Sequence, residues 1–250
     1  MSLYNKQLIE RVFGCIDHTT LTSTDNDNTV EAFCRNAAQL APKEGGHVAA
    51  VCVFPRFVAI AKKTLKGSGI KVASVAGSFP HGQLPIEIKK EEVKYVVAQG
   101  ADEVDIVLNR GLILQNSIEE ALQEVQTLKE ACQDRVLKVI LETCDLPSPT
   151  LLMLATQIAV EGGADFVKTS TGKGAKGATI EAAEIMLQVL RDYRDKTGRT
   201  VGFKAAGGIR LPEEAISYAQ LAARLMGDLY IQPASFRIGA SSLTERLIAF

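Results

Sequence analysis

Short apolar runs alternate with longer segments in which apolar residues recur at helical spacing. The apolar runs predict eight β-strands, which read in chain order VFGCIDHT, HVAAVCVFP, IKVASVAG, ADEVDIVL, RVLKVILET, ADFVKTST, RTVGFKAAGG and SFRIGASS. The longer segments predict helices over residues 29–40, 57–65, 85–99, 118–132, 149–161, 180–193 and 212–226. For the helix over residues 149–161, Ser148 suits the N-cap, Pro149 suits the first turn and Gly162 suits the position just past the end.

This alternation predicts the fold class. Eight strand–helix units in 250 residues match the size and rhythm of a (β/α)8 TIM barrel, in which parallel strands close within a ring of helices. No linker or low-complexity stretch divides the chain, so we predict a single α/β domain over residues 1–250. A doubly wound open sheet shows the same alternation and is the structural alternative. The strand count and the polar residues at the strand ends favour the barrel.

Charged residues stand at the ends of the predicted strands, where TIM barrels build their active sites. The residues at or near such ends are Asp17, Asp105, Glu142, Lys168, Lys204 and Gly239. Side chains alternate between the two faces of a strand, so Glu103 and Asp105 of EVDIV are expected to point into the barrel. The same alternation in LKVILE points Lys138 and Glu142 inward. We therefore expect an unusually charged barrel interior.

Composition narrows the classes of ligand. The chain is 46% hydrophobic and 23% charged, and its 28 basic and 29 acidic residues give a net charge of -1, which predicts neither a nucleic-acid nor a membrane partner. The cysteines are scattered without zinc-site spacing, at Cys15, Cys34, Cys52, Cys132 and Cys144. No apolar run approaches the ~18 residues of a membrane span, and the N-terminus lacks a secretory pattern. We expect a cytoplasmic protein with a small-molecule ligand.

Two lysines end neighbouring strands, in FVK and GFK. Adjacent strands lie ~4.8 Å apart, so Lys168 and Lys204 can approach each other if both point inward. A pKa near 7 lies about 3.4 units below that of free lysine, which corresponds to roughly 4.6 kcal/mol. Two unit charges ~4 Å apart repel by ~4 kcal/mol at an effective dielectric of ~20. We therefore expect Lys204 to supply most of the shift, desolvation the rest, and one lysine to act as a Schiff-base nucleophile.

A simpler interpretation of the same lysines is that each pairs with a carboxylate such as Asp17 or Asp105, or reaches solvent. Two lysines on adjacent strand ends, above acids that also point inward, favour catalysis.

Glycine-rich segments follow the last three strands. In TSTGKGAKG the residues Gly172, Gly174 and Gly177 formally match a dinucleotide-binding pattern, with Asp192 or Asp195 as the distant acid. Three polar residues between the lysine and the first glycine argue against that function. The segments KAAGGIR and RIGASS follow strands seven and eight, the usual phosphate site of these barrels. The candidate phosphate ligands are Gly207, Gly208, Gly239, Ser241 and Ser242, with Lys173 or Arg210 adding charge.

Several strings together resemble one known family, deoxyribose-phosphate aldolase. They are IDHTTL, CVFPRFV, SFPHG, GADEVDIV, LKVILET, GADFVKTSTGK, VGFKAAGGIR and RIGASS, in the family's order and over almost the whole chain. The resemblance implies a class I aldolase on a (β/α)8 barrel. It implies reversible cleavage of 2-deoxy-D-ribose 5-phosphate to acetaldehyde and D-glyceraldehyde 3-phosphate, with neither a metal nor a cofactor.

The same resemblance implies roles for individual residues. Lys168 of FVKTSTGK corresponds to the Schiff-base lysine, Lys204 of GFKAAGG to its pKa partner and Asp105 of ADEVDIV to the proton-relay residue. Asp17 and Lys173 would hold substrate hydroxyls. The remaining implied substrate-binding residues are Gly172, Gly207, Gly208, Arg210, Gly239, Ser241 and Ser242.

Two departures from the family pattern qualify this resemblance. Ala205 stands where some members have a proline, a change that lies outside the reacting groups. The printed sequence ends at Phe250, soon after RIGASS, without the polar extension ending in tyrosine that some members carry. We expect lower activity than in members with that extension, and the same reaction.

Other functions stay open at the level of sequence. One is a different lysine Schiff-base barrel, such as a transaldolase-like transferase or an aldolase for another sugar phosphate. A dehydrogenase and a non-catalytic phosphosugar-binding barrel are two more. We also expect a homo-oligomer, either a dimer or a tetramer, although the sequence does not distinguish them.

Overall fold

A closed barrel of eight parallel strands forms the centre of the computed structural model, which describes residues 6–41 and 46–250. Each strand pairs with the next along the chain, and β8 pairs with β1 to close the sheet. The strands are β1 Ile16–Thr19, β2 Ala50–Val53, β3 Lys71–Val75, β4 Glu103–Val107, β5 Val136–Ile140, β6 Phe166–Lys168, β7 Gly202–Ala206 and β8 Phe236–Ala240. The predicted TIM barrel is confirmed, and closure excludes the open doubly wound sheet.

Helices surround the sheet, and all seven predicted ones are present. Within the described ranges the helices are α1 Lys6–Gly14, α2 Asp27–Gln39, α3 Val58–Thr64, α4 Ile86–Ala98, α5 Arg110–Leu114, α6 Ile118–Cys132, α7 Pro149–Glu161, α8 Ile180–Thr197, α9 Pro212–Met226 and α10 Thr244–Ala249. Ser148 caps α7 by accepting a hydrogen bond from the backbone N–H of Leu151, and Pro149 is its first residue, as the sequence predicts. None of the helices in these ranges combines the length and apolarity needed to cross a bilayer.

The first predicted strand begins too early. Val12 and Phe13 belong to α1, and β1 starts only at Ile16. Together with Leu8 and Ile9 they form an apolar face at helical spacing, which packs on the core. A short apolar run fits both the helical and the strand period, and here packing of the helical face on the core selects the helix.

The main hydrophobic core lies between the sheet and the helices. Val104 and Ile106 of β4 and Val139 of β5 point outward into it and are fully buried, in agreement with the predicted alternation. Burying a side chain of this size contributes roughly 1.5–3 kcal/mol. This layer lies on the outer face of the sheet, so polar groups can occupy positions on the inner face.

The barrel interior is divided into an apolar and a charged side. Ala50 and Cys52 of β2 pack with Ala73 and Val75 of β3 in a small cluster of their own. The strands around the rest of the circumference carry inward acids and bases, described below. At the amino-terminal ends of β6 and β7, Phe166 occupies the space that a side chain on residue 202 would need. The charged half is thus closed from below by an aromatic ring.

Candidate active site

Lys168 and Lys204 lie side by side in the barrel. They are Cα partners in the β6–β7 register, so both side chains point to the same face. Lys168 Nζ donates to Asp105 Oδ2 at 2.9 Å, and Lys204 Nζ donates to the same oxygen at 2.8 Å. The structure therefore brings together the three residues predicted to be catalytic. It also shows the carboxylate pairing that the simpler interpretation of the lysines expects.

Two buried aspartates connect these lysines to further cations. Asp105 Oδ1 accepts a hydrogen bond from Lys138 Nζ at 2.9 Å. Asp17 Oδ2 accepts one from Lys204 Nζ at 2.5 Å, and Asp17 Oδ1 accepts one from Arg237 Nη1 at 2.5 Å. Asp17 is fully buried and engaged by these cations, although a role in holding a substrate hydroxyl was predicted for it. In this arrangement its carboxylate orients Lys204.

A second ionic layer lies beneath the lysines. Arg237 Nη2 donates to Glu103 Oε1 at 2.7 Å, and Lys138 Nζ lies 2.5 Å from Glu103 Oε2. The guanidinium carbon of Arg237 sits 5.4 Å from the centre of the Phe166 ring, within the range of a cation–π contact. The sequence placed Glu103 and Lys138 inside the barrel but gave neither them nor Arg237 a role. Strand parity with Gly239 would have placed Arg237 there as well.

Protonation differs between the two central lysines. Burial is the largest influence on the pKa of Lys168 and lowers it; Lys204 lowers it further, and Asp105 opposes both. Burial also disfavours the charged form of Lys204, but Asp105 and Asp17 outweigh burial and raise its pKa. The expectation that Lys204 supplies most of the Lys168 shift is therefore wrong in its ranking, because desolvation leads. Lys168 is the member of the pair disposed to be a neutral amine.

The two aspartates stay ionised. Burial raises the pKa of Asp17 and of Asp105, but the cations around them outweigh it and hold both pKa values well below the ordinary one. The same ion pairs raise the pKa of Lys138 despite its burial. Charged partners therefore surround Lys168 while the amine itself loses its proton most readily.

A cavity of about 450 Å³ opens above Lys168 at the carboxyl ends of the strands. Lys168 lines it and is 3% exposed, whereas Lys204 and Asp105 are fully buried and are not among its lining residues. Of the predicted substrate-binding residues, those that line the cavity are Gly172, Lys173, Gly207, Gly208, Arg210, Gly239 and Ser241. Ser242 is exposed beside them without lining the cavity. The opening thus joins the amine to the glycine-rich loops.

Steric constraints explain why glycine occupies several positions in these loops. Gly207 and Gly208 have φ values of 88° and 80°, in the left-handed region that favours glycine. A Cβ on Gly177 would lie 2.0 Å from the carbonyl oxygen of Gly207, so the loops after β6 and β7 pack backbone against backbone. A Cβ on Gly239 would lie 3.1 Å from Lys204 Cε. The G-x-G-x-x-G match is thus explained by loop packing, which removes the support for a dinucleotide site.

The side chain of Lys173 crosses the cavity mouth. Its Nζ donates to the backbone oxygen of Leu21 at 2.6 Å, which links the loop after β6 to the loop after β1. Thr171 anchors the other end of this segment, because its hydroxyl and its N–H both donate to Glu142. Glu142 is 2% exposed and has φ 50°, an unusual conformation for a non-glycine residue. Strand parity predicts that Glu142 points inward near the site, but it does not predict this anchoring role.

Aromatic and hydroxyl-bearing residues complete the wall opposite the glycine loops. Phe33 of α2 lines the cavity together with residues 19–22. The Phe33 ring stacks on His18, with ring centroids 4.2 Å apart and an angle of 8° between the planes. Residues 19–21 belong to the string IDHTTL, whereas Phe33 lies outside the quoted strings, so only the three-dimensional arrangement identifies Phe33 as part of the wall.

Comparison with known proteins gives this geometry a family. The family model of the DeoC/LacD family aldolases matches residues 11–243. The chain belongs to the DeoC/LacD aldolase family. Membership makes a lyase the enzyme class, and the lysine-lined cavity lies where such a barrel carries out chemistry.

Solved structures similar to this aldolase agree in fold. A proposed deoxyribose-phosphate aldolase from Coccidioides immitis has a TM-score of 0.81 and 28% identity, over 96% of this chain and 85% of that one. The aldolase QR15 has a TM-score of 0.77 and 29% identity, over 96% and 95% of the two chains. A tetrameric deoxyribose phosphate aldolase from Aeropyrum pernix has a TM-score of 0.72 and 27% identity, over 96% and 91%. The family is thus firm, while identity at this level leaves the substrate to be argued from the site.

Proposed function

We propose that this aldolase reversibly cleaves 2-deoxy-D-ribose 5-phosphate to acetaldehyde and D-glyceraldehyde 3-phosphate, through a Schiff base on Lys168. The observation that supports this most directly is a buried lysine with a lowered pKa on the floor of the cavity, next to Asp105 and a second lysine. A neutral amine is the form that adds to a carbonyl. Two similar proteins, at 28% and 27% identity, are named as deoxyribose-phosphate aldolases, which agrees with the proposed substrate.

The chemistry assigned to each residue follows from its protonation state. Neutral Lys168 adds to the C1 aldehyde, and loss of water gives an iminium ion. Because the fragment that stays on Lys168 has two carbons, the bond that breaks is C2–C3; its electron pair moves into the iminium to form an enamine, and D-glyceraldehyde 3-phosphate leaves. The C3 hydroxyl proton passes to Asp105 through a water. Protonation of the enamine at C2 and hydrolysis of the iminium then release acetaldehyde and restore Lys168.

Lys204 supports this sequence without reacting itself. Its raised pKa keeps it positively charged beside Lys168, which favours the neutral form of the free amine. Its hydrogen bonds to Asp17 and Asp105 hold both carboxylates in place at 2.5 and 2.8 Å. We assign Lys204 as the residue that maintains the electrostatic difference between the two lysines.

We assign phosphate binding to the glycine loops at the cavity rim. Gly207 and Gly208 offer backbone N–H groups that no side chain shields, and Arg210 and Lys173 bring positive charge to the same rim. Ser241 and Ser242, between β8 and α10, add hydroxyl donors. Anchoring a phosphate away from the reacting bond orients that bond over Lys168.

An oligomer is part of the proposal, since the similar protein from Aeropyrum pernix is tetrameric. We expect a homodimer or homotetramer, and light scattering coupled to size-exclusion chromatography measures the mass directly. A monomer at micromolar concentration would contradict this expectation and leave the proposed reaction untouched.

Reductive trapping tests the Schiff base. The protein is incubated with acetaldehyde and borohydride, and its peptides are mapped by mass spectrometry. In the wild type we expect a reduced two-carbon adduct on Lys168 and none on the peptides carrying Lys138 or Lys204. In the control variant Lys168→Met we expect no adduct on any residue inside the barrel. An adduct on Lys204 would exchange the two roles. Specific labelling of neither lysine would favour a non-catalytic phosphosugar-binding barrel.

Substrate comparison tests the rest of the proposal. Cleavage of 2-deoxy-D-ribose 5-phosphate is measured beside cleavage of free 2-deoxy-D-ribose and of other phosphorylated sugars. We expect the phosphorylated deoxy sugar to have the highest kcat/KM. Its phosphate reaches the glycine-loop rim while its C1 aldehyde reaches Lys168, and free 2-deoxy-D-ribose lacks the phosphate contact. Trapping on Lys168 without this preference would indicate another lysine Schiff-base aldolase or a transaldolase-like transferase.

A further inference from the structure

The interior of the barrel contains an odd number of connected charged groups. Among the described residues, ion pairs and hydrogen bonds join seven side chains into one network: Asp17, Glu103, Asp105, Lys138, Lys168, Lys204 and Arg237. The network has four basic and three acidic members. Each of the seven is at most 4% exposed, so solvent cannot screen an excess charge. A buried network of this size is most stable when its charges cancel.

The contacts show which base is the surplus one. Lys138 contacts three carboxylates, those of Asp17, Glu103 and Asp105, at 3.5, 2.5 and 2.9 Å. Lys204 contacts Asp17 and Asp105, and Arg237 contacts Asp17 and Glu103. For Lys168 the contact within the described part of the chain is to Asp105, at 2.9 Å. When Lys168 is neutral, three cations face three anions.

We infer that Glu103 and Arg237, in the ionic layer beneath the lysines, are positioning residues that set this charge balance and thereby make Lys168 the neutral member. The inference rests on the proposed Schiff-base role of Lys168 and extends it to a pair outside the cavity wall. Neither Glu103 nor Arg237 is among the residues that line the cavity. Their contribution reaches Lys168 through the shared carboxylates Asp17 and Asp105.

Other titratable groups near Lys168 do not disturb this balance at neutral pH. The Cys52 thiol of β2 faces the network, and burial raises its pKa to about 11, so it is uncharged. Asp17 of β1, Asp105 of β4, Lys138 of β5, Lys204 of β7 and Arg237 of β8 are the network members already counted. At the mouth, Lys173 donates to a backbone oxygen and Glu142 accepts from Thr171. Removing one charge from the lower ionic layer should therefore change the pH at which Lys168 loses its proton.

The direction of the effect depends on the sign of the charge removed. Arg237→Gln leaves the network one negative charge in excess with Lys168 neutral, so Lys168 should hold its proton to higher pH. Glu103→Gln leaves one positive charge in excess, so Lys168 should lose its proton at lower pH. At ~10 Å and an effective dielectric of ~20, a unit charge shifts a pKa by roughly one unit. The double variant Glu103→Gln/Arg237→Gln restores neutrality and should return the pKa towards that of the wild type.

The rate of cyanoborohydride trapping with acetaldehyde, measured against pH, reports the neutral fraction of Lys168. The acid limb is the part of this pH profile in which the rate rises as Lys168 loses its proton. We expect its midpoint to move about one pH unit up in Arg237→Gln, about one pH unit down in Glu103→Gln, and back towards the wild-type value in the double variant. Arg237→Lys keeps the positive charge but loses the planar guanidinium with its several N–H donors, and the acid limb of its pH profile should coincide with that of the wild type. Circular dichroism and thermal melts establish that each variant is folded.

The outcomes separate this inference from the proposed function. Unshifted limbs in folded single variants, with trapping on Lys168 intact, would overturn the role of the lower layer and leave the Schiff base standing. A double variant shifted further than Arg237→Gln would also overturn it, because a purely structural role predicts cumulative damage. Absence of trapping in the wild type would instead refute the proposed function. If Arg237→Gln does not fold, the opposite shift in Glu103→Gln carries the test.

Discussion

Replacing Lys204 by methionine tests the electrostatic difference between the two lysines. The change removes an ammonium group that lies 2.8 Å from Asp105 Oδ2 and 2.5 Å from Asp17 Oδ2. Lys168 then loses the like charge that shares Asp105 Oδ2 with it, while Lys138 stays bound to Asp105 Oδ1, so this oxygen can pair with Lys168 more fully. Both effects raise the pKa of Lys168, while burial continues to lower it.

The size of this effect follows from the shared oxygen. Both Nζ atoms bind Asp105 Oδ2, so the two ammonium groups are neighbours. Unit charges ~5 Å apart at an effective dielectric of ~20 interact by about 3 kcal/mol, which corresponds to roughly two pKa units. On the acid limb the neutral fraction of Lys168, and with it the rate of imine formation, should fall about a hundredfold.

The assay is the same pH-dependent trapping, with Lys204→Arg as the matched control that keeps the charge. We expect the acid limb of Lys204→Met to move up by about two units and that of Lys204→Arg to move far less. Asp17 keeps Arg237 and Lys138 as partners, so a folded variant is expected, and a thermal melt checks it. An unchanged limb in folded Lys204→Met would refute the reasoning and leave burial as the sole cause of the Lys168 shift.

Three further predictions concern stability and the loops around the cavity. Burial lowers the pKa of His18 to about 4, so the unfolded state, with a pKa near 6.5, takes up the proton first as pH falls. Unfolding free energy should therefore drop by about 2 kcal/mol between pH 7 and 5, and His18→Phe should remove most of this drop in urea titrations. Gly177→Ala places a Cβ 2.0 Å from the Gly207 carbonyl oxygen, so it should lower the free energy of unfolding by about 1–3 kcal/mol and raise KM for a phosphorylated substrate roughly tenfold. The control Gly14→Ala has open space around its Cβ and should change neither quantity. Glu142→Ala removes the acceptor of two hydrogen bonds from the loop after β6, and we expect KM to rise at least about threefold in steady-state assays, while unchanged kinetics would show that the loop holds itself.

Some features of the fold follow from the sequence alone, and others depend on tertiary packing. Alternation along EVDIV places Asp105 inside and Ile106 outside wherever the strand lies, because side-chain direction in a strand has a period of two. Helix starts such as Ser148 follow from local hydrogen bonding of the cap. The boundary at Val12 failed, since a short apolar run suits both a helix and a strand, and only packing against the core selects one.

The candidate site shows the same division. The sequence by itself determined that lysines end the sixth and seventh strands, that acids point inward and that glycines follow, because these depend on local order and strand parity. Only the closed barrel decided that Lys168 and Lys204 share one oxygen of Asp105, that Arg237 and Glu103 lie beneath them, and that burial outranks the second lysine in lowering the pKa of Lys168. Desolvation and distance are properties of chain segments far apart in sequence, and they take values only when closure brings those segments together.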